Sequence, residues 1–157
     1  MTATETALAR LIDESAIRDA AARFADTCIR GDHEGFRRLW AEDGVWVIGK
    51  PFEVRCEGIE AIADMLHHLR DEREFFVQYL PQAVIDINGD EATARWVCRE
   101  IARGPGENYY ENLAFYHDRL RRSGDRWVFS ERAYEYIWLN TAPFPGDVFK
   151  LNESPSN

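Results

Sequence analysis

No run in this 157-residue chain approaches the roughly 18 apolar residues of a membrane-spanning helix. The opening MTATETALAR also lacks the basic-then-apolar order of an export signal. A cytoplasmic protein without a membrane partner is therefore expected. Basic residues are scarce, with 19 Lys plus Arg against 28 Asp plus Glu and a formal net charge of −9. Such a surface repels polyanions, which excludes nucleic acid as a partner. Cysteine is scarce too. Cys28, Cys56 and Cys98 are an odd, widely spaced set that fits neither a disulfide framework nor a CxxC metal knuckle, and they read as buried free thiols. There is no nucleophile elbow, P-loop or dinucleotide fingerprint. No pair of histidines stands with a carboxylate at metal-ligand spacing, so neither a metal nor a cofactor is expected. Repeats, low-complexity tracts and internal linkers are missing as well, which points to one domain over residues 1–142 with an irregular tail over 143–157.

What is abundant is ring surface. Aromatic residues make up 13% of the chain, with five Trp, six Tyr and nine Phe, more than a small core needs. A large apolar cavity or a subunit interface would use the surplus.

The first half reads as helical. From Ser15 to Arg30 the set Ile17, Ala20, Ala21, Phe24, Ala25 and Cys28 follows helical spacing, with Ser15 as N-cap and Gly31 as the stop. A separate turn over Ala7–Ile12 precedes it. Asp32 caps a second, shorter helix that carries Phe36, Leu39 and Trp40 inward. Gly44–Gly49 reads as a strand with Phe52–Cys56 as its return arm, and Gly58 opens a third helix. After Arg73 the pattern changes to strands. Phe75–Ile87, broken by Pro81, turns at Asn88-Gly89 into Ala92–Arg103, followed by Asn108–Arg122 and Trp127–Leu139. Helices followed by a meander of long antiparallel strands mean an α+β fold, with helices packed on one face of a curved sheet.

This order resembles the SnoaL-like branch of the nuclear-transport-factor-2-like superfamily. The likeness is carried by Ala16-Ile-Arg-Asp19, Arg23-Phe-Ala-Asp26, Arg30-Gly-Asp32, Leu39-Trp-Ala-Glu-Asp-Gly-Val-Trp46, Gly58-Ile-Glu-Ala-Ile62 and Gly124-Asp-Arg-Trp-Val-Phe129 ahead of Arg132. It covers roughly residues 8–140. The resemblance implies a cone-shaped α+β barrel in which a bent sheet wraps a deep pocket closed by the first helix. It also implies a homo-oligomer, a dimer or trimer through the open sheet face, and a small hydrophobic molecule as ligand. The superfamily holds dehydratases, isomerases, dehydrochlorinases and polyketide cyclases beside pure binding and assembly modules.

In dehydratase-type members, such as scytalone dehydratase and hexachlorocyclohexane dehydrochlorinase, an aspartate near the end of the long helix charges a histidine on the first long strand. The corresponding positions here are Ile29 and Gln78, so the dyad is missing. A slip in register would promote Asp26 or Asp32, but Asp32 is better used as a helix cap.

Strand alternation supplies a different candidate. Ala94, Trp96 and Cys98 form an apolar face, which turns Glu100 inward. A buried, unpaired carboxyl drifts toward a raised pKa and can act as base or acid near neutrality. The competing reading puts Glu100 at the rim, against water or a neighbouring subunit. The family register turns Tyr110, Asn112, Ala114 and Tyr116 inward, and Arg132, Tyr134, Tyr136 and Trp138 share a face of the last strand. Arg132 is either a clamp for Glu100 or half of a structural ion pair, and Trp46 matches a pocket-lining tryptophan position. His67 and His68 are expected at the surface and His33 in solvent, while His117 reaches the pocket only if its strand slips by one.

The expected function is a lyase, isomerase or cyclase acting by proton transfer on a small apolar ring compound. Glu100, Arg132 and Tyr116 would be catalytic, with Phe24, Ile29, Trp46, Gln78, Trp96, Cys98, Tyr110, Asn112, Tyr134 and Tyr136 around the substrate. The alternatives are a non-catalytic binding or assembly module and an accessory small subunit of an oxygenase.

Overall fold

The computed structural model describes residues 2–106 and 108–151; residues 152–157 of the expected irregular tail lie outside the described residues. Among the described residues, three helices pack on one six-stranded mixed sheet that stays open rather than closing into a barrel. In chain order the elements are α1 (Ala3–Arg30), α2 (His33–Arg37), β1 (Trp40–Ile48), β2 (Val54–Glu57) and α3 (Ile59–Arg70). They continue with β3 (Phe75–Asn88), β4 (Glu91–Arg103), β5 (Tyr109–Ser123) and β6 (Arg126–Asn140). The strand order is β2-β1-β6-β5-β4-β3, antiparallel throughout except where β1 runs parallel to β6.

Helix α1 is thirteen residues longer at its start than its apolar periodicity predicts, since Thr2 rather than Ser15 is its N-cap (15 − 2 = 13). Two local causes account for this. Thr2 and Glu5 form a capping box, Thr2 Oγ1 accepting from the Glu5 amide at 3.2 Å and Glu5 Oε2 from the Thr2 amide at 2.6 Å. No glycine or proline interrupts residues 3–30, so nothing stops the helix from running through the expected turn. The body grips this extension through Asp13, which accepts from Arg122 Nη1 and Nη2 at 2.9 Å and from Trp127 Nε1 at 3.0 Å. Gly31, in the left-handed region at φ 69°, ends the helix as expected.

Asp32 caps α2 by accepting from the Gly35 amide at 2.9 Å. Trp40, expected on this helix, instead starts β1 and is buried there. Pro81 interrupts the β3–β4 ladder between Tyr79 and Gln82, where a residue without an N–H has to fall. In β6 the register shifts between the Tyr136 and Trp138 pairings, so Ile137 is inserted into the ladder. That insertion turns Trp138 to the outer face, where it is 46% exposed, instead of leaving it beside Tyr134 and Tyr136.

The narrow end of the molecule is an aromatic cluster centred on Phe24. Its ring lies 5.2 Å from Phe36, 5.6 Å from Tyr116, 5.9 Å from Trp46 and 6.0 Å from Phe129. Arg132 is set among these rings, its Cζ 4.2 Å from Phe24, 4.0 Å from Tyr116 and 4.2 Å from Phe129. Its Nε and Nη2 donate to the two oxygens of Asp118 at 2.8 Å each, and both side chains are fully buried. Breaking such a pair from one side strands a charge in the core. Asp118→Ala is therefore expected to lose about 3–5 kcal/mol of stability, while the paired replacement Arg132→Met with Asp118→Leu loses far less. Urea unfolding of the two variants checks this.

Candidate functional site

The open end of the fold holds a cavity of about 400 Å³, a size suited to one small organic molecule. Its apolar wall comes from Trp46 and Ile48 on β1, Met65, Leu66 and Leu69 on α3, and Phe76 on β3. The polar wall comes from Gln78, Glu100, Tyr110, Tyr116, Tyr134 and Tyr136. The division follows from strand alternation and pairing. Gln78, Glu100 and Asn112 are direct partners across β3, β4 and β5, so three polar side chains stand in one row on the inner face.

Glu100 is 7% exposed. Gln78 Nε2 donates to its Oε2 at 3.4 Å. Burial pushes its pKa up to about 7, against the opposing pull of hydrogen bonding from Tyr110 and Asn112 and of the Arg73 charge. The inward placement of Glu100 expected from alternation is thus found, and the rim alternative is not. Tyr110 and Tyr136 share a hydrogen bond between their hydroxyls, and Tyr134 donates to Asn112 Oδ1. Burial raises the phenols of Tyr110, Tyr134 and Tyr136, so they stay protonated and are donors at any working pH.

Arg132 does not clamp Glu100. Its guanidinium is taken up by Asp118 and the three rings, and it does not reach the cavity wall. A cation that does line the cavity is Arg73, in the turn after α3. Its Cζ lies 5.6 Å from the centroid of the Tyr110 ring, and Nε donates to the Leu69 carbonyl at 3.2 Å. Nη1 is buried without a hydrogen-bond partner. Arg70 also lines the cavity, but its Nε and Nη2 donate to the carbonyls of Cys28 and Ile29 at 3.0 Å, tying α3 to the end of α1.

Of the other expected pocket residues, Trp46, Gln78, Tyr110, Tyr116, Tyr134 and Tyr136 line the cavity. Phe24, Ile29, Trp96, Cys98 and Asn112 do not. Phe24 belongs to the aromatic cluster, Trp96 and Cys98 lie deeper in the inner face of β4, and Asn112 stands behind Glu100. Ile29 is half-buried and contributes a backbone carbonyl to Arg70 instead. Alternation along strands overlooked Arg73, Cys28 and His68, which also line the cavity and sit on a turn and on helices. For Arg73 no periodic signal exists. His117 faces outward and pairs with Glu135 at 2.6 Å.

Spacing along the chain also missed one cluster. His33, His67 and Asp71 bring one ligand atom each within 4.8 Å of one another, because α2 packs beside the end of α3. Among the described residues no helix is long and apolar enough to cross a membrane.

Residues 9–133 match the SnoaL-like domain family, and the chain belongs to it. Solved structures share the fold. A nuclear-transport-factor-2-like protein with a cystatin-like fold from Novosphingobium aromaticivorans is 24% identical at a TM-score of 0.72, covering 85% of this chain and 88% of that one. A type 2 hexachlorocyclohexane dehydrochlorinase is 17% identical at a TM-score of 0.78, covering 92% and 97%. The type 3 enzyme of that name from Novosphingobium barchaimii is 17% identical at 0.77, covering 92% and 99%. No protein of curated function shows significant sequence similarity to this chain.

The raised pKa of Glu100 has a consequence for stability. The folded state holds the proton up to about pH 7, whereas an unfolded glutamate releases it near 4.5. Stability from this group is fully present below about pH 4.5 and falls as pH rises to about 7, by about 3 kcal/mol over the window. Glu100→Gln, which carries no charge to bury, is expected to melt well above the wild type at pH 8. At pH 4.5 the two should nearly coincide, as calorimetry at both pH values would show.

Proposed function

We propose that the chain is a lyase or isomerase that removes and returns a proton on a small, largely apolar ring compound. Glu100 is its base. The observation that supports this most is the buried Glu100 carboxyl on the cavity wall, with a pKa of about 7 and a set of protonated phenols beside it. A group with that proton affinity is half ionised at neutral pH, which suits proton transfer in either direction.

The ring of a substrate would lie against Trp46, Ile48, Leu69 and Phe76. Glu100 Oε takes a proton from a ring carbon next to an oxygen function, and the electron pair moves toward that oxygen. The hydroxyls of Tyr110 and Tyr136 and the free Nη1 of Arg73 meet the developing negative charge. Return of the proton to another atom completes an isomerisation. Loss of a leaving group from the neighbouring carbon completes an elimination. Gln78 holds the carboxylate in place from the adjacent strand by donating to Oε2.

A second reading, a binding module for a small hydrophobic molecule, has one observation behind it. Ile29 and Gln78 occupy the positions at which the dehydratase-type relatives are expected to carry their dyad.

Deuterium uptake from heavy water into a panel of cyclic ketones and phenols separates the two. The enzyme reading expects uptake catalysed by the wild type and a loss of about 10²–10⁴-fold in Glu100→Gln. Saturable binding with no exchange by the wild type would establish the binding module instead. For any compound turned over, kcat/KM should climb with pH to a plateau above about 7, since the base works only when ionised. Arg73→Gln should lower kcat by about 10²-fold on the same compound and move the rise of that profile to higher pH, since the Arg73 charge holds the Glu100 pKa down.

A further inference from the structure

One cluster of chemistry-bearing side chains lies outside the cavity. His67 and Asp71 stand four residues apart, on one side of the end of α3, and His33 opens α2 against them. His67 Nδ1 lies 2.7 Å from Asp71 Oδ2, and His33 Nε2 lies 3.0 Å from Asp71 Oδ1. The two imidazoles stack with centroids 3.6 Å apart and 8° between their planes, so both present a nitrogen to the same carboxylate. The other ring nitrogen of His33, Nδ1, is buried with no partner.

We propose that His33, His67 and Asp71 form a binding site for a borderline divalent transition ion of the zinc(II) type. The donor set carries the assignment. Two imidazole nitrogens and one carboxylate suit zinc, cobalt or nickel, whereas magnesium and calcium prefer oxygen ligands alone. The ligand atoms already lie within 4.8 Å of one another. An ion bonded at about 2.0–2.2 Å to each therefore needs only side-chain rotation at a half-exposed surface. In the metal-free protein each imidazole donates an N–H to Asp71. On binding, His33 Nε2 and His67 Nδ1 turn lone pairs to the ion, and the imidazole protons move to the opposite ring nitrogens. For His33 that is the unpartnered Nδ1.

Three ligands leave a fourth position for water. The ligands come from α2 and α3, and none of them lines the cavity. The ion would thus staple the two helices on the flank of α3 that turns away from Leu66 and Leu69, a structural role. The chain's net charge of −9 favours cation binding generally, so site-directed controls are needed.

The test is calorimetric titration of chelator-treated protein with zinc sulfate, paired with thermal melts. One saturable site is expected in the wild type, with Tm raised by about 5 °C or more at zinc about 100-fold above Kd. His67→Ala and His33→Ala should lose the site and the shift, and His68→Ala, a neighbour outside the cluster, should keep both. Cobalt(II) should give the visible bands of a four-coordinate ion in the wild type and not in His67→Ala. Magnesium should leave Tm unchanged. Absence of saturable zinc binding in the wild type would overturn the proposal, as would equal binding in the folded His67→Ala variant.

Discussion

Arg132 and Asp118 neutralise each other completely in the core of this molecule, and much else follows from that. The pair is buried to zero exposure, with the guanidinium packed among Phe24, Tyr116 and Phe129. Those rings belong to α1, β5 and β6, so one side chain joins helix and sheet at the narrow end. The guanidinium donates two hydrogen bonds to the Asp118 carboxylate, is enclosed by three rings and does not reach the cavity, so it has no contact with another acid there. Glu100, two strands away on the same inner face, is therefore buried without a cation of its own. Arg73, on the cavity wall, acts on it less strongly than burial does.

The sheet thus carries two carboxyls on its inner face with opposite fates. Asp118 has a bidentate partner and is a structural element. Glu100 has the donating amide of Gln78 and neutral phenols nearby, groups that supply no charge. Neutral donors soften the desolvation of a carboxylate but do not cancel it, and the proton affinity rises accordingly. The cost appears as lost stability above neutral pH, as is usual where a fold keeps a reactive group in an unfavourable setting. The aromatic surplus divides in the same way. Phe24, Phe36, Trp40, Trp46 and Phe129 fill the closed end, while Tyr110, Tyr134 and Tyr136 bring hydroxyls to the open end.

Most of this was legible wherever a period of two or of 3.6 residues governs placement. Alternation along β4 put Glu100 inside, while on β5, whose two faces are both partly apolar, it was the family register that turned Tyr110, Asn112 and Tyr116 inward. Alternation failed at the inserted Ile137, since one extra residue reverses every later side chain, and Trp138 went outward. Helical spacing found the buried half of α1 but not its exposed half, which is set by the Thr2–Glu5 cap and the grip on Asp13. Arg73 sits in a turn, where no period exists to place it. Arg132 was placed inward correctly, and of its two readings the structural ion pair is the one found; which buried acid it meets depends on cross-strand register rather than on the strand's own pattern. His33 met His67 for a similar reason: their proximity arises from packing between two helices.

The position of Gln78 connects the pocket to its family. Where dehydratase-type relatives are expected to carry a histidine base, this chain has an amide that cannot take up a proton at neutral pH. Gln78 is nonetheless buried, faces the cavity, and donates to Glu100 on the next strand. The end of α1, where the partner aspartate would stand, offers Ile29, and the carbonyls there are engaged by Arg70. Neither change is neutral for a base on β4. An aspartate at position 29 would add a second negative charge near the cavity, and a histidine at 78 would give Glu100 a cation to pair with. Either would shift the proton affinity that burial now sets. Ile29 and Gln78 add no charge to the neighbourhood of Glu100 beyond that of Arg73, so under the proposed function their presence fits a basic group moved by one strand within the same pocket.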